Sequence, residues 1–315
     1  MKRKIFTGFI PACVITGILF LGCNNNEKEL KSAPNEPSTP EVKSIFINGD
    51  SLHYIEIGKG EPVIFIHGTL GDYRTWGFQI DTFAKNYRVI SYSRRFAYPN
   101  RQEINDSADY TVIPHANDLA ELIKALKLGP VHLVGHSYGA YTALLTTMNN
   151  PELVKTLTLG EPPIFPMLAK VPGGDTLINS FFKIAGPAAE AIKSGNDEKA
   201  VSLFMTWVIG DSTVFANTPP ETRAMMMSNT LELRGILLGN KPFPPVSCDE
   251  LKKIKVPVLL MQGEKSPRFF TAILDELDKC IDKKEKTILP GASHGLEFEN
   301  PSAFNKIVLG FIDKH

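Results

Sequence analysis

The sequence has no excess of either charge. Its 315 residues include 34 Lys and Arg and 34 Asp and Glu, so the formal net charge is zero. No long basic run occurs, and the local exception is Lys2-Arg3-Lys4 at the N-terminus. Proteins that bind nucleic acid usually carry a basic patch or stripe. We therefore expect no nucleic-acid partner.

Cysteine is scarce, with four residues in the chain. No group of histidines and cysteines has the spacing of metal ligands, so we expect no metal site. The composition is otherwise ordinary, with 43% hydrophobic and 22% charged residues. Such a chain is large enough for one large α/β domain or two smaller domains.

The N-terminus has the pattern of an export signal. Lys2-Arg3-Lys4 precede an apolar run over residues 5–21. A positive segment followed by such a run is typical of a signal peptide, which is not part of the fold. The run ends in Leu19-Phe20-Leu21-Gly22-Cys23. This ending resembles the lipobox of bacterial lipoproteins, with Phe20 in a position usually held by leucine.

The lipobox resemblance implies that residues 1–22 are removed and that Cys23 carries lipid, including palmitate. The protein would then be anchored to a membrane of the bacterial cell envelope, facing the periplasm or the surface. Simple cleavage for secretion and an uncleaved membrane span remain as alternatives. Residues 23–42 are polar and contain three prolines, so we expect a disordered tether.

Two cysteines, Cys248 and Cys280, remain in the rest of the chain. An exported protein can pair such residues, but their spacing does not indicate that their Cα atoms are close. We expect two separate buried thiols.

From residue 43 onward, strand and helix patterns alternate. A hairpin is predicted around Asn48-Gly49-Asp50, and short apolar runs predict further strands. These strands are expected at residues 44–47, 52–57, 63–66, 88–92, 131–134, 156–159, 257–261 and 286–289. Helices are expected at residues 72–85, 114–126, 140–148 and 304–312. Repeated β–α units predict a mostly parallel sheet with helices on both faces.

Residues 161–246 interrupt this alternation. They contain helix-like segments at 177–183, 188–194, 198–208 and 220–238, and no clear strand. An insertion of this length is too long for a loop. We expect a helical cap over the carboxyl edge of the sheet, where open α/β sheets bind ligands. The predicted core is therefore divided into residues 43–160 and 247–315.

The stretch that organises the chain is residues 131–139. A short buried strand runs into Gly135-His136-Ser137-Tyr138-Gly139, and a helical run follows. Strand, sharp turn and helix are the context in which Gly-x-Ser-x-Gly presents a nucleophilic serine. The glycines let strand and helix approach across the turn.

Three further motifs occur in order along the chain. They are His67-Gly68-Thr69-Leu70, Gly291-Ala292-Ser293-His294-Gly295 and Glu299-Asn300-Pro301. Together with the serine turn, they give residues 44–315 a resemblance to the α/β-hydrolase superfamily, in the branch with a cap after the sixth strand. The resemblance implies an eight-stranded, mostly parallel sheet and a nucleophile, acid and histidine in that order.

The resemblance implies a role for each polar residue. Ser137 is the nucleophile, and it needs a base because an alcohol is a poor nucleophile. His294 is that base, since it alone among seven histidines lies in the loop between the last strand and the last helix. The backbone N–H groups of Tyr138 and Thr69 form the oxyanion hole, with Leu70 as the alternate second donor.

The acid departs from the family pattern. Ser266 stands where most relatives have aspartate after the seventh strand. Two carboxylates are candidates: Glu161, directly after the sixth strand, and Glu264, two residues before Ser266. We favour Glu161, as in some haloalkane dehalogenases, with Glu264 as the alternate. Arg94 is expected to form a structural salt bridge rather than to bind substrate.

The sequence therefore predicts a lipid-anchored serine hydrolase acting on a small or medium ester-like substrate through an acyl-enzyme. No cofactor is expected, and the sequence does not give the oligomeric state. The same triad serves C–C bond hydrolases, lactonases and cofactor-free perhydrolases. A ligand receptor with a vestigial triad is the alternative from another class, and the serine at 266 favours it.

Overall fold

The structure is a computed structural model that describes residues 40–100, 103–105, 107–239 and 242–315. The predicted signal peptide (1–22), the lipidation site Cys23 and the tether up to residue 39 lie outside the described residues, so these stay predictions. Within the described ranges, no helix is long and apolar enough to cross a membrane.

Eight strands form one sheet in the order β1-β2-β4-β3-β5-β6-β7-β8. In chain order they are β1 Lys43–Ile47, β2 Asp50–Ile57, β3 Pro62–Ile66, β4 Arg88–Tyr92, β5 Val131–His136, β6 Val154–Gly160, β7 Val258–Gly263 and β8 Lys284–Leu289. Strands β3 to β8 pair in parallel, and β2 runs antiparallel to β1 and β4. The predicted mostly parallel, eight-stranded sheet is confirmed.

Helices pack on both faces of the sheet. The α-helices are α1 Gly77–Phe83, α2 Val112–Ala125, α3 Tyr138–Asn149, α4 Gly174–Lys193, α5 Asp197–Ile209, α6 Val214–Asn217, α7 Pro220–Met227, α8 Thr230–Leu238, α9 Cys248–Leu251, α10 Arg268–Cys280, α11 Leu296–Glu299 and α12 Pro301–Ile312. Alternate residues of β3 enter different cores: Ile64 and Ile66 pack with α2, α3 and α10, whereas Val63 and Phe65 pack with α1 and α12. Central strands are therefore buried on both sides and read as continuous apolar runs.

Several helix bounds differ from the prediction, and local chemistry explains two of the differences. The helix expected from Asp72 begins at Gly77, because the Asp72 carboxylate accepts the Arg74 N–H in a turn at 2.9 Å. The segment predicted at 220–238 is divided into α7 and α8, where the Asn229 side chain bonds Met225 O at 2.7 Å. Sequence patterns also gave no helix at 268–280, where the structure has α10.

The described residues between β6 and β7 contain helices α4 to α9, a 3-10 helix at Phe165–Lys170 and no strand. This segment is bonded to the core by buried polar contacts. Asn229, the residue that precedes α8, donates to Asp72 at 2.8 Å. Glu232 of α8 forms an ion pair with Arg94. The exact boundaries 161 and 246 stay a prediction.

Cys248 and Cys280 form a disulfide, so the expectation of two separate thiols was wrong. Cys248 opens α9 and Cys280 closes α10, and these two helices pack against each other with a Cα–Cα distance of 5.0 Å. The two residues are 32 positions apart in the chain, and only the packing of α9 on α10 brings them together.

Candidate active site

The turn at Ser137 has the strained geometry expected of a nucleophile elbow. Ser137 adopts φ 52° and ψ −122°, between the end of β5 and the start of α3. Its N–H donates to Gly160 O at 2.7 Å. A Cβ at Gly139 would lie 2.2 Å from Ile66 O, so only glycine allows α3 to approach β3. This packing holds an unfavourable backbone conformation in place.

Two of the predicted oxyanion donors, Thr69 and its alternate Leu70, lie around the same cavity as Ser137. Thr69 and Leu70 form a turn closed by the Gly71 N–H bond to Gly68 O at 3.2 Å. Both residues line the cavity that Ser137 and His294 line. Tyr138 is the first residue of α3, so its N–H has no partner within the helix. Thr69 and its alternate Leu70 therefore both remain candidates beside Tyr138.

His294 is bonded to Glu161. The distance from His294 Nδ1 to Glu161 Oε2 is 2.6 Å, and both side chains are buried. The other carboxylate oxygen, Oε1, accepts the Gly263 N–H at 2.8 Å. Glu161 follows β6 directly and has φ 51°, a left-handed conformation that few residues other than glycine adopt. With Nδ1 occupied, Nε2 of His294 is the nitrogen left for Ser137.

Burial disfavours charge on both partners of this pair. It raises the pKa of Glu161 to about 7, against opposite effects of the Ser266 hydroxyl, the Gly263 N–H and His136. Burial also holds the pKa of His294 well below its usual value, and nearby His136 lowers it further. Burial thus favours the neutral form of each group.

Neither Glu264 nor Ser266 occupies the position of the acid. Glu264 is exposed, and its Oε2 accepts the Gly291 N–H at 2.7 Å. The Ser266 hydroxyl is buried beside Gly263 and forms no well-aligned hydrogen bond within the described residues, although it lies near enough to Glu161 to favour the charged carboxylate. Glu161 is thus the carboxylate that the fold brings to His294.

Phe270 is a site residue that the sequence analysis missed. Its ring lies parallel to the His294 imidazole, with an interplanar angle of 8° and 3.7 Å between centroids. Phe270 is on α10, whose buried residues recur at helical spacing: Phe269, Phe270, Ile273, Leu274 and Leu277. That period was available in the sequence and could have predicted the helix, but not the contact with His294.

The cavity at Ser137 is small and apolar, with a volume of about 90 Å³. Cap residues close it above the serine, and they are Phe204, Met205, Val208, Ile209, Met225 and Met226. Among the described residues, no lysine or arginine lines this cavity. The cavity therefore offers no lysine or arginine side chain to an acidic substrate group.

Arg94 forms a structural salt bridge, as expected, and its partner is Glu232 of the cap. Arg94 Nη2 donates to Glu232 Oε2 at 2.6 Å, and Nη1 donates to Oε1. The same guanidinium donates to His67 O at 2.9 Å and to Gly68 O at 3.1 Å. Arg94 thus connects the cap to the turn that carries Thr69.

Comparison with known proteins places the chain beside hydrolases. Residues 61–183 match a family model described as the alpha/beta hydrolase fold. The chain is 33% identical over 281 residues to (E)-2-((N-methylformamido)methylene)succinate hydrolase of Acinetobacter baylyi, covering 84% of this chain and 95% of that protein.

Solved structures agree at the level of the fold. Carboxylesterase CesB of Bacillus subtilis superposes with a TM-score of 0.69 at 22% identity, covering 89% of this chain and 93% of that chain. A thermophilic esterase of Thermogutta terrifontis gives a TM-score of 0.70 at 21% identity, covering 87% of this chain and 98% of that chain.

Proposed function

Because the chain belongs to the α/β-hydrolase family, we propose that it is a serine hydrolase that cleaves esters with a small, uncharged acyl group through an acyl-enzyme. The observation that carries this proposal is the 2.6 Å bond between His294 and Glu161 at the cavity that Ser137 lines. A base with a fixed tautomer next to a strained serine is the arrangement that activates an alcohol.

The proposed reaction has two halves. Ser137 Oγ attacks the ester carbonyl while His294 Nε2 takes the hydroxyl proton, and Glu161 stabilises the resulting imidazolium. The N–H groups of Tyr138 and of Thr69 or Leu70 donate to the oxyanion. His294 returns the proton to the leaving alcohol, which leaves an ester on Ser137. Water then attacks that ester with His294 as base, and the free acid and Ser137 are released.

The cavity limits the acyl group. Pockets for drug-sized ligands measure roughly 300–1,000 Å³, whereas this one measures about 90 Å³. The space beside Ser137 suits an acetyl-sized group with the cap in the position described. The lack of a lining lysine or arginine in the described residues disfavours a dicarboxylic acyl group such as the succinate in the name of the Acinetobacter relative.

A panel of p-nitrophenyl esters tests this substrate class. We expect kcat/KM to fall from acetate to butyrate to octanoate, and the hemisuccinate to react at least about tenfold more slowly than butyrate, because burying an unpaired carboxylate is costly. Met225→Ala should enlarge the cavity and raise the butyrate-to-acetate ratio. Met148→Ala makes the same change in α3 outside the cavity, so it should leave that ratio unchanged. Equal rates for acetate and octanoate would contradict the proposed size limit.

Two other classes of function remain testable with the same protein. Lactones test the lactonase alternative, β-diketones the C–C hydrolase alternative, and hydrogen peroxide with acetate the perhydrolase alternative. All three would use the same proposed triad. The bond between His294 and Glu161 counts against the receptor alternative, because this carboxylate can take the place of the aspartate missing at Ser266. A protein that hydrolyses no ester or lactone but binds one would restore it.

We also propose that the protein is exported and anchored through lipid on Cys23. The disulfide between Cys248 and Cys280 supports export, since oxidising compartments maintain such bonds. In a bacterial host that makes lipoproteins, the protein should incorporate radiolabelled palmitate and fractionate with membranes, and Cys23→Ser should remove the label. A native protein that is soluble and begins at a residue other than 23 would contradict the anchor.

A further inference from the structure

A second histidine lies directly behind His294. His136 ends β5, next to Ser137, and its ring centroid is 4.7 Å from that of His294. His136 Nε2 is 2.7 Å from the backbone oxygen of His294, and Nδ1 is 3.0 Å from Glu297 Oε1. One ring thus connects the residue beside the nucleophile to the main chain of the base.

The partners of His136 fix its protonation. A backbone carbonyl is only an acceptor, and so is a carboxylate, so both ring nitrogens face acceptors. A neutral imidazole has one N–H and can serve one of them, whereas an imidazolium serves both. The Nδ1 approach to Glu297 is poorly aligned for a hydrogen bond, which leaves charge attraction as its main stabilisation.

Glu297 gives an independent reason for a cation at this place. Its side chain is fully buried on α11, and neither carboxylate oxygen has a well-aligned hydrogen bond within the described residues. A buried carboxylate without a counter-charge is strongly unfavourable. His136 is the partner that the structure places at ion-pair distance.

We propose that His136 and Glu297 form a buried ion pair, with His136 an imidazolium, that positions His294 through its backbone oxygen. His136 is then a positioning residue for the reaction, and this role rests on the proposed serine-hydrolase function. The fold supports the arrangement closely: a Cβ at Gly68 would lie 3.3 Å from His136 Nδ1, and one at Gly160 would lie 3.6 Å from His136 Cδ2.

The charge of His136 also acts on the triad. Burial alone would lower the pKa of His136, but Glu297 and, more weakly, Glu161 raise it above the usual value. The resulting positive charge lowers the pKa of His294 and of Glu161. Glu297 and Glu299 raise the pKa of His294 and so partly offset the effect of His136 on it. The net result keeps His294 unprotonated and Glu161 charged at lower pH than either would be without His136.

Kinetics on an ester substrate test the positioning role. Glu297→Gln keeps the shape but removes the charge that holds the proton on His136. We expect kcat to fall by about 10-fold to 100-fold with little change in KM, since small misplacements of reacting groups cost rates of this order. The acidic limb of kcat/KM should move to higher pH by about 0.5–1 unit. Loss of the His136 cation raises the pKa values of His294 and Glu161, and on His294 this effect is larger than the lowering caused by loss of the Glu297 charge. His136→Asn should move this limb in the same direction.

The matched control is in the same strand. His132 of β5 pairs with Glu61 at 3.2 Å, at the end of the strand remote from Ser137. Glu61→Gln therefore removes a carboxylate from a histidine without touching the site, and it should leave kcat and the pH profile unchanged. If Glu297→Gln behaves like Glu61→Gln, the proposal is wrong.

A spectroscopic measurement separates this inference from the proposed function. Histidine labelled with ¹⁵N in the Ser137→Ala variant reports the protonation of each ring by nuclear magnetic resonance, whether or not the protein hydrolyses esters. We expect both nitrogens of His136 to be protonated at pH 7.5, with the assignment made by His136→Asn. A neutral tautomer at that pH overturns the ion pair, whereas a protonated His136 in a protein without esterase activity leaves the ion pair standing and removes only its catalytic role.

Discussion

Ser137→Ala should abolish covalent labelling by a fluorophosphonate probe and reduce kcat for p-nitrophenyl acetate by about 10⁴–10⁶-fold. The probe reacts with an activated serine hydroxyl, and the variant has no oxygen at the elbow. Removing the nucleophile of a serine hydrolase costs a factor of this size because the rest of the triad then has nothing to activate. Intact-mass measurement after labelling and a burst assay check both expectations.

The matched control for the nucleophile is Ser180→Ala. Ser180 is on α4 and donates to Leu177 O at 2.6 Å, away from the Ser137 cavity. This variant should label and turn over like the parent protein. Stoichiometric labelling of Ser137→Ala in a folded protein would contradict the assignment of the nucleophile and, with it, the proposed acyl-enzyme.

Glu161→Gln should lower kcat by about 10²–10⁴-fold with little change in KM. The substitution keeps the shape but removes the charge that, in the proposed mechanism, fixes the His294 tautomer and stabilises the imidazolium. Loss of this charge costs about 10⁴ in a well-studied serine protease. Glu264→Gln serves as the control and should cost less than about tenfold, because the Glu264 carboxylate is exposed and bonded to Gly291 N. A dead Glu264→Gln with an active Glu161→Gln would reverse the assignment.

The serine at position 266 permits a rescue experiment. Ser266 Oγ lies beside Gly263, whose N–H donates to Glu161. A carboxylate at 266 therefore reaches the neighbourhood of the same histidine from β7 instead of β6. The double variant Glu161→Gln with Ser266→Asp should recover at least about tenfold of the lost kcat. Full activity in both single glutamine variants would mean that catalysis needs no acid.

The sheet could be predicted from the sequence, since its central strands are apolar runs of the expected length. The elbow could also be predicted, because its tight turn has no room for a Cβ at Gly135 or Gly139. This requirement is visible in the sequence as the two glycines that flank Ser137. His294 followed from its place between the last strand and last helix. These features depend on local pattern and chain order, which one sequence displays.

Other features depend on contacts between distant segments. The Cys248–Cys280 disulfide requires α9 to pack on α10, and α10 itself was not predicted. The stacking of Phe270 on His294 depends on the same helix. Glu297 gave no signal, because a glutamate three residues after a histidine looks like an ordinary surface residue until its helix is seen to be buried. Periodicity gives the buried face of an element but not its partner.

The position of Glu161 sets a rule for exchanging caps between relatives. The residue that would orient the base is also the first residue after β6, and it has φ 51° before Pro162 and Pro163. A chimaera that joined a foreign cap directly to β6 would exchange the acid together with the lid. The junction must therefore come after Pro163 on this side, or the incoming segment must bring its own carboxylate. A triad acid placed after β7 would lie outside the exchanged segment, whereas here the residue that would orient the base lies at the junction. Exchange of the cap would then change substrate range and catalytic competence together.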